Sequence, residues 1–318
     1  MGKKRNGILE IYRFIICFWP IYCHNFFFVK DVGEAFTVAH LAVDFFYIIS
    51  GLFLIKSMRK YEGRNPFYGA YALMRDRLKP IFFPMCFIVV FNLICFVLFI
   101  RENYLDIAFD VFCFWWYVLY LVIAIALYYL LYRAIKNEKL FAVAIAVIML
   151  ASVALHYVVI ELELLPNVLM FVARTFACLA CGMLLSYVPP IKMKKPVISI
   201  IALIVLIPAI FYFTYYRDKN YLICLALVVG FAALVYFTRD INVGGKMFDL
   251  LGKLSTRMYL YMAFIAMLRE LGVENQSLLF VIDVSISVLD VTLDEYRSRC
   301  KKLTMELDKK NALLCELK

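Results

Sequence analysis

The chain contains few charged residues for its length. Asp, Glu, Lys and Arg together make up 18% of its 318 residues, whereas soluble domains carry about 25%. Apolar residues reach 65%, and the mean hydropathy is +0.84. This balance excludes an ordinary soluble enzyme and predicts an integral membrane protein, for which domains are not counted from chain length.

The sequence also lacks the signals of a metal or redox centre, of a cleaved signal peptide and of a separate soluble domain. The CxxC pair, Cys178 and Cys181, lies in an apolar run with no second pair and no nearby histidine, so we expect no metal or redox centre there. The basic segment Lys3-Lys4-Arg5 is followed by no small-x-small cleavage site, which predicts an uncleaved first helix instead of a signal peptide. We find no internal repeats and no separate soluble domain.

Long apolar runs account for most of the chain. Crossing the hydrocarbon of a bilayer takes a helix of about 20 residues. Runs of about that length predict an all-α membrane bundle of about ten transmembrane helices, at residues 9–28, 40–56, 80–100, 113–132, 139–158, 167–188, 197–216, 220–238, 247–268 and 277–292.

The loops between these runs alternate in charge. Basic residues are concentrated in loops 56–79, 133–139, 192–195 and 239–246, and acidic residues occur in loops 31–34, 102–106 and 161–163. The positive-inside rule therefore predicts that both termini are cytoplasmic. The net charge of +10 follows this loop pattern, so it predicts membrane topology and not nucleic-acid binding.

The last residues differ from the rest. We expect a transmembrane domain at 1–292 and a cytoplasmic helical tail at 293–318. The tail contains a heptad pattern, in which residues are spaced by four and three. It is formed by Tyr, Cys, Leu, Leu, Lys, Leu and Leu at positions 296, 300, 303, 307, 310, 314 and 317. This pattern fits an amphipathic helix on the membrane surface, a coiled-coil homodimer contact or an unstructured tail.

The first run carries polar residues that are costly in hydrocarbon. Arg13 and His24 lie eleven residues apart, which in a helix is three turns and about 20°. Both therefore lie on one face, with Arg13 near the cytoplasmic surface and His24 in the outer half. Glu10, three residues before Arg13, can pair with it. Pro20 lies between them and is expected to kink the helix.

The second and sixth runs carry further polar residues. Asp44 has a depth similar to that of His24, where a carboxylate would fix the tautomer of the imidazole. Ser50 and Gly51 form a small pair that permits close helix contact. Arg174, inside the sixth run, is a functional candidate, with pairing to an acid or a backbone carbonyl as the structural alternative. His156 lies near the outer end of its run and is interpreted as structural.

Five segments, in order along residues 8–292, resemble the bacterial membrane acyltransferase 3 family, the O-acyltransferases of cell-surface polysaccharides. Glu10, Arg13 and His24 resemble its opening acid-x-x-Arg-x10-His segment, and "VDFFYIISGLFLI" is similar to its Asp-Phe-Phe-x-x-Ser-Gly run. The other three similar segments are "RLKPIFFP", "WWYVLYL" and "LGKLSTRMYLYM". Two positions depart from the family pattern: Pro80 replaces a second basic residue, and Met262 replaces a histidine.

The resemblance implies a multi-pass enzyme of the bacterial cytoplasmic membrane. It would move an acyl group, with acetyl favoured, from cytoplasmic acyl-CoA to a sugar hydroxyl of a surface polysaccharide, with no tightly bound cofactor. It assigns His24 as general base or transient acyl carrier and Asp44 as the residue that orients it. The remaining assignments are donor binding by Arg13, Arg75, Arg77 and Lys79, and substrate binding by Trp116, Tyr117 and Arg174.

Two other functions fit the same sequence. Relatives of this fold group are also interpreted as exporters of acylated sugars or polysaccharide intermediates, which need a polar path but no base. The chain would otherwise be the membrane module of a larger sensing or racemase-type enzyme, which we do not expect because no soluble domain is apparent. Release of free CoA would distinguish the enzyme from the exporter.

Overall fold

The architecture was obtained from a computed structural model. It describes residues 6–26, 32–99, 116–166, 168–189, 201, 204–205, 221–241, 245–270 and 276–316. Within these ranges some side chains also lie outside the description, among them those of 21–26, 32–40, 116 and 262–267. The described residues form helices, turns and short connections and no β-strand, which confirms the helical class.

Eleven helices are described. Their bounds are α1 Gly7–Phe26, α2 Val32–Leu52, α3 Leu54–Arg59, α4 Pro66–Leu78, α5 Phe82–Phe99, α6 Trp116–Ala134, α7 Glu138–Ile160, α8 Val168–Tyr187, α9 Tyr221–Thr238, α10 Lys246–Glu270 and α11 Gln276–Glu316. Nine of the ten predicted segments coincide with one of these helices. The other, 197–216, lies almost entirely outside the described residues.

The helix surfaces are those of a membrane protein. Four described helices are long and apolar enough to cross a bilayer, at Tyr117–Ala134, Glu138–Ile160, Val168–Tyr187 and Tyr221–Thr238. On α7, Leu140, Val143, Val147 and Leu150 form one stripe and are 57–64% exposed. Such an apolar stripe is stable only against lipid. The number of ten spans and the cytoplasmic location of the termini stay predictions.

Helices α2 and α8 approach closely because each has a glycine where they meet. On α2, a Cβ at Gly51 would overlap the Leu179 carbonyl of α8, and a Cβ at Gly182 of α8 would overlap the Ile48 carbonyl of α2. The contact is thus reciprocal, and small residues are what allow helix backbones to approach in a bilayer. It brings α2, which carries Asp44, against α8, which carries Arg174.

One end of the bundle is rich in basic residues, and we call it the basic end. Here α2, α6 and α8 finish, α7 begins, and α3 and α4 form the connection from α2 to α5. Asn65 caps α4 by accepting from the Phe67 amide, with Pro66 in the first turn. Asn137 caps α7 in the same way, and Arg59 pairs with Glu138 at 2.6 Å.

The final helix, α11, is long and continuous. It runs from Gln276 to Glu316 without a break at the predicted boundary between 292 and 293. Beyond that boundary it is exposed, with Tyr296, Leu303 and Leu307 on its surface. The choice between a membrane-surface helix and a homodimer contact for this segment stays a prediction.

Candidate functional site

An arginine lies inside the start of α1. The α1 helix begins after Asn6, whose side chain accepts from the amides of Ile8 and Leu9. Arg13 donates to Glu10 at 2.9 Å and to the hydroxyl of Thr256 on α10 at 3.0 Å. The predicted Glu10–Arg13 pair is therefore present.

Glycine on α10 makes room for this pair. A Cβ at Gly252 would overlap the Glu10 carboxylate, so only glycine leaves space for that carboxylate between the helices. The neighbouring hydroxyls of Ser255 and Thr256 donate to the Gly252 carbonyl. The segment "LGKLSTRMYLYM", which resembles a family motif, thus forms a close contact between α1 and α10 next to Arg13.

A second arginine, on α4, lies within electrostatic range of the first. Arg77 donates to the Ser57 hydroxyl at 2.8 Å and is also within electrostatic range of Tyr117. The Tyr117 side chain, at the start of α6, lies near Ser50 of α2. We call Arg13, Arg77, Ser50 and Tyr117 the arginine cluster.

The arginine cluster carries excess positive charge. Burial lowers the pKa of the Arg77 guanidinium from its ordinary value; Tyr117 opposes this, and the nearby charge of Arg13 lowers the pKa further. Arginine nevertheless stays protonated. Within the described part of the chain, Arg77 has no carboxylate within 4.0 Å, although Asp76 is within electrostatic range of it. Of the two guanidiniums, Arg13 is the one with a described carboxylate, Glu10, at hydrogen-bond distance. Such a pair of guanidiniums can bind an anion.

The other two basic residues predicted to bind the donor lie elsewhere. Arg75 and Lys79 are exposed on α4 and at its end, and the nearest acid to Arg75 is Asp76 at 3.9 Å. The structure therefore brings Arg13 and Arg77 together, whereas Arg75 and Lys79 face the surface.

Pro80, where family members carry a second basic residue, lies beside an arginine from another helix. Its carbonyl accepts from Arg257 of α10 at 2.8 Å. Arg257 is also paired with Asp294 and lies 3.2 Å from Asp290, an ion pair without hydrogen-bond geometry. The acids of α11 thus neutralise the positive charge next to Pro80. Through these contacts Arg257 links the α4–α5 junction to α10 and α11.

A buried ion pair joins α2 and α8. Arg174 Nε donates to Asp44 Oδ1 at 3.1 Å, and its Nη2 donates to Asp44 Oδ2 at 2.6 Å. The side chains are only 8% and 4% exposed, and the Cys178 thiol lies near Asp44. A bidentate arginine–carboxylate contact of this kind is strong and orients both groups. The structure thus shows Arg174 paired with an acid, which was the structural alternative to a functional role.

This ion pair lines a cavity of about 800 Å³ between α2, α7, α8 and α9, within the size range of small-molecule sites. His156 of α7 is also in its wall, and its Nε2 is buried without a hydrogen-bond partner among the described residues. Glu161 and Glu163 lie at the end of α7, on the side away from the basic end. The cavity therefore combines apolar walls with one cation, acids and an imidazole.

His156 is the residue that sequence reasoning left out. A single histidine near a helix end has no sequence signal that distinguishes a cavity wall from a packing position. Its ring lies 5.4 Å from that of Tyr221, a residue far away in the chain that no motif connects to it.

Two tyrosines lie between the cavity and the arginine cluster. Tyr47 is one turn from Asp44 on α2; it donates to the Tyr117 carbonyl at 3.3 Å and lies near Thr175, the residue next to Arg174. The Tyr47 and Tyr117 rings are 4.7 Å apart. From Asp44 to Ser50 the helical rise is about 9 Å, so the two sites are neighbours separated by this aromatic pair.

For two predicted site residues, the structure describes the backbone but not the side chain. His24 is in α1, and helical register places it on the same face as Arg13, but its side chain is outside the described residues. The same holds for the Trp116 side chain. The orientation of His24 by Asp44 and the substrate contact of Trp116 therefore stay predictions.

Comparison with known proteins gives one match. The family model Acyl_transf_3, described as an acyltransferase domain, matches residues 6–289 of the chain. A search of curated proteins and a search of solved structures gave no match. The matched range includes α1 to α10, the arginine cluster, the buried ion pair and the cavity.

Proposed function

Because the chain belongs to the acyltransferase 3 family of membrane acyltransferases, we propose that it moves an acyl group from acyl-CoA to a hydroxyl of a cell-surface or exopolysaccharide sugar. Acetyl is the first acyl group to test. The basic end would face the cytoplasm, where acyl-CoA is available, as the positive-inside rule indicates. The protein would lie in the bacterial cytoplasmic membrane.

The convergence of Arg13 and Arg77 is the observation that carries this proposal. A CoA donor presents phosphates, and arginine offers them a fork of N–H groups. The two guanidiniums donate to the Thr256 and Ser57 hydroxyls, and Arg77 has no carboxylate within 4.0 Å in the described part of the chain. Donor phosphates would supply the missing negative charge.

The cavity provides a place for the acceptor. Its volume of about 800 Å³ suits a sugar residue. Arg174 would donate to hydroxyl or carboxylate oxygens of the acceptor while Asp44 keeps the guanidinium in position. In this arrangement donor and acceptor approach from opposite sides of the Tyr47–Tyr117 pair.

A general base is needed to take the proton of the acceptor hydroxyl. His24 is the proposed base, since its position on the Arg13 face of α1 lies toward the outer half of the bundle. His24→Ala should abolish transfer while leaving insertion and expression unchanged. His156→Ala is the matched variant: an inactive His156→Ala together with a near-normal His24→Ala would place the base in the cavity and refute the assignment to α1.

The first assay uses purified protein with labelled acetyl-CoA and a sugar acceptor. Release of free CoA together with an acylated sugar supports the enzyme. Movement of an acylated sugar across proteoliposomes without CoA release would refute the proposal and indicate the exporter.

Donor binding is tested by variants of the arginine cluster. A charge-assisted hydrogen bond contributes about 1.5–3 kcal/mol, so Arg13→Ala or Arg77→Ala should raise the apparent KM for acetyl-CoA at least about tenfold. Arg299→Ala, exposed on α11, is the control and should leave that KM unchanged. An unchanged KM in both cluster variants would contradict a role in donor binding.

A further inference from the structure

A buried acidic residue on α11 takes no part in the function proposed above. Asp283 is fully buried, and neither of its carboxylate oxygens has a hydrogen-bond partner among the described residues. Ser287, one turn further along α11, is also fully buried, with an unpartnered hydroxyl. An ionised carboxylate in such surroundings is costly by several kcal/mol, so the stable form of Asp283 is the neutral acid.

Asp283 lies on α11, which packs against α1. The thiol of Cys17 is fully buried and lies within electrostatic range of both Asp283 and Arg13. From Arg13, Cys17 is four residues on, a rotation of about 40°, and His24 is eleven on, a rotation of about 20°. All three positions therefore share one helix face, and the middle position, Cys17, is the one in electrostatic range of Asp283.

A polar stripe continues from Asp283 along α11. Asp283, Ser287, Asp290 and Asp294 follow a spacing of four, three and four residues, which keeps them on one face over about 16 Å. The stripe ends where Arg257 pairs with Asp290 and Asp294. Acids inside a membrane helix that pair at one end and stand open at the other are typical of proton paths.

We propose that Asp283 is the proton-carrying residue that supplies the leaving CoA sulfur, an inference that rests on the proposed acyl transfer. In that reaction the acceptor O–H and the thioester C–S bonds break, and the ester C–O and the thiol S–H bonds form. Asp283 gives its proton to the departing thiolate and is reprotonated by the imidazolium that has taken the acceptor proton. The net result is one ester and one free thiol, with no other reactant.

The surroundings of Asp283 favour this role. Cys17 of α1 is within electrostatic range of it, and on α11 the nearest acid is Asp290, about two turns away. No described cation pairs with it, so it carries its proton in the resting state. If Arg13 holds the donor and His24 takes the acceptor proton, the CoA sulfur would leave along the stretch of α1 that contains Cys17.

The protonated state of Asp283 is tested by chemical labelling, which does not depend on acyl-transfer activity. A hydrophobic carbodiimide modifies protonated carboxyls in apolar surroundings, and the adduct is located by peptide mass analysis. Asp283 should be labelled at about pH 7, where an ordinary carboxyl is ionised, and Asp283→Asn should lose the adduct. Asp308→Asn, an exposed position on the same helix, should keep it. Absence of an adduct at Asp283 at this pH would overturn the proposal.

The role in transfer is tested on the same preparations. Asp283→Asn keeps the shape of the neutral acid but has no transferable proton, so the rate of CoA release should fall about 100-fold, with Asp283→Glu restoring part of it. Full activity of Asp283→Asn would overturn the role. If the wild-type protein transfers no acyl group, the proposed function fails, and the labelling result still decides whether Asp283 holds a proton.

Discussion

Removing one partner of the buried Asp44–Arg174 pair should greatly destabilise the protein. Arg174→Ala leaves the Asp44 carboxylate 4% exposed, without the two donors that lie 3.1 Å and 2.6 Å from its oxygens. Breaking a buried pair from one side costs about 3–5 kcal/mol. Because whole domains are stable by only about 5–15 kcal/mol, this is a large part of the total.

The assay is denaturant unfolding in detergent micelles, followed by far-ultraviolet circular dichroism. The matched control is Arg59→Ala, which breaks a pair with Glu138 that is 53% and 59% exposed. An exposed pair contributes about 0–1 kcal/mol, so the two arginine variants should differ by at least about 2 kcal/mol.

A double variant separates the ion pair from the space that it fills. Asp44→Leu combined with Arg174→Met replaces the pair with apolar groups and should recover most of the stability, although transfer should stay lost because the cavity has no cation. We expect a coupling energy of about 2–3 kcal/mol. A loss for Arg174→Ala as small as that for Arg59→Ala, or additive losses in the double variant, would refute this reasoning.

Two glycine variants test the helix contacts that support the sites. Gly182→Ala should destabilise by about 1–3 kcal/mol, since its Cβ would meet backbone; Gly63→Ala, with nothing within 4 Å, should have no such effect in the same unfolding assay. Gly252→Ala should cost less stability, because the obstructing Glu10 side chain can move, but should reduce CoA release because Glu10 leaves Arg13. Equal stability of Gly182→Ala and Gly63→Ala, or a fully active Gly252→Ala, would contradict these contacts.

Much of the arginine cluster could be predicted, because its residues carry local signals. Glu10 and Arg13 are three residues apart, and in a helix that spacing alone brings them together. The small pair at Ser50-Gly51 likewise predicted a close helix contact, and Gly51 lies at one. The proximity of Arg77 to Arg13 had no local signal, since it depends on how α4 packs against α6.

The partner of Asp44 illustrates the limit of motif reasoning. Depth in the membrane suggested contact with His24, which stays a prediction, and depth alone leaves rotation about the helix open. The close α2–α8 contact at Gly51 and Gly182 turns Asp44 toward Arg174, 130 residues away in the chain. The two-donor contact then accounts for both carboxylate oxygens among the described residues.

The sequence by itself determined that this is a helical membrane protein, which helices carry polar residues and on which face of α1 they lie. These properties follow from composition and helical periodicity, which act within about 20 residues. Only the tertiary structure decided that Arg174 pairs with Asp44, that His156 lines a cavity and that Asp283 is fully buried. Those contacts arise from helix packing between distant segments, where one small residue or one rotation about a helix axis selects the neighbour.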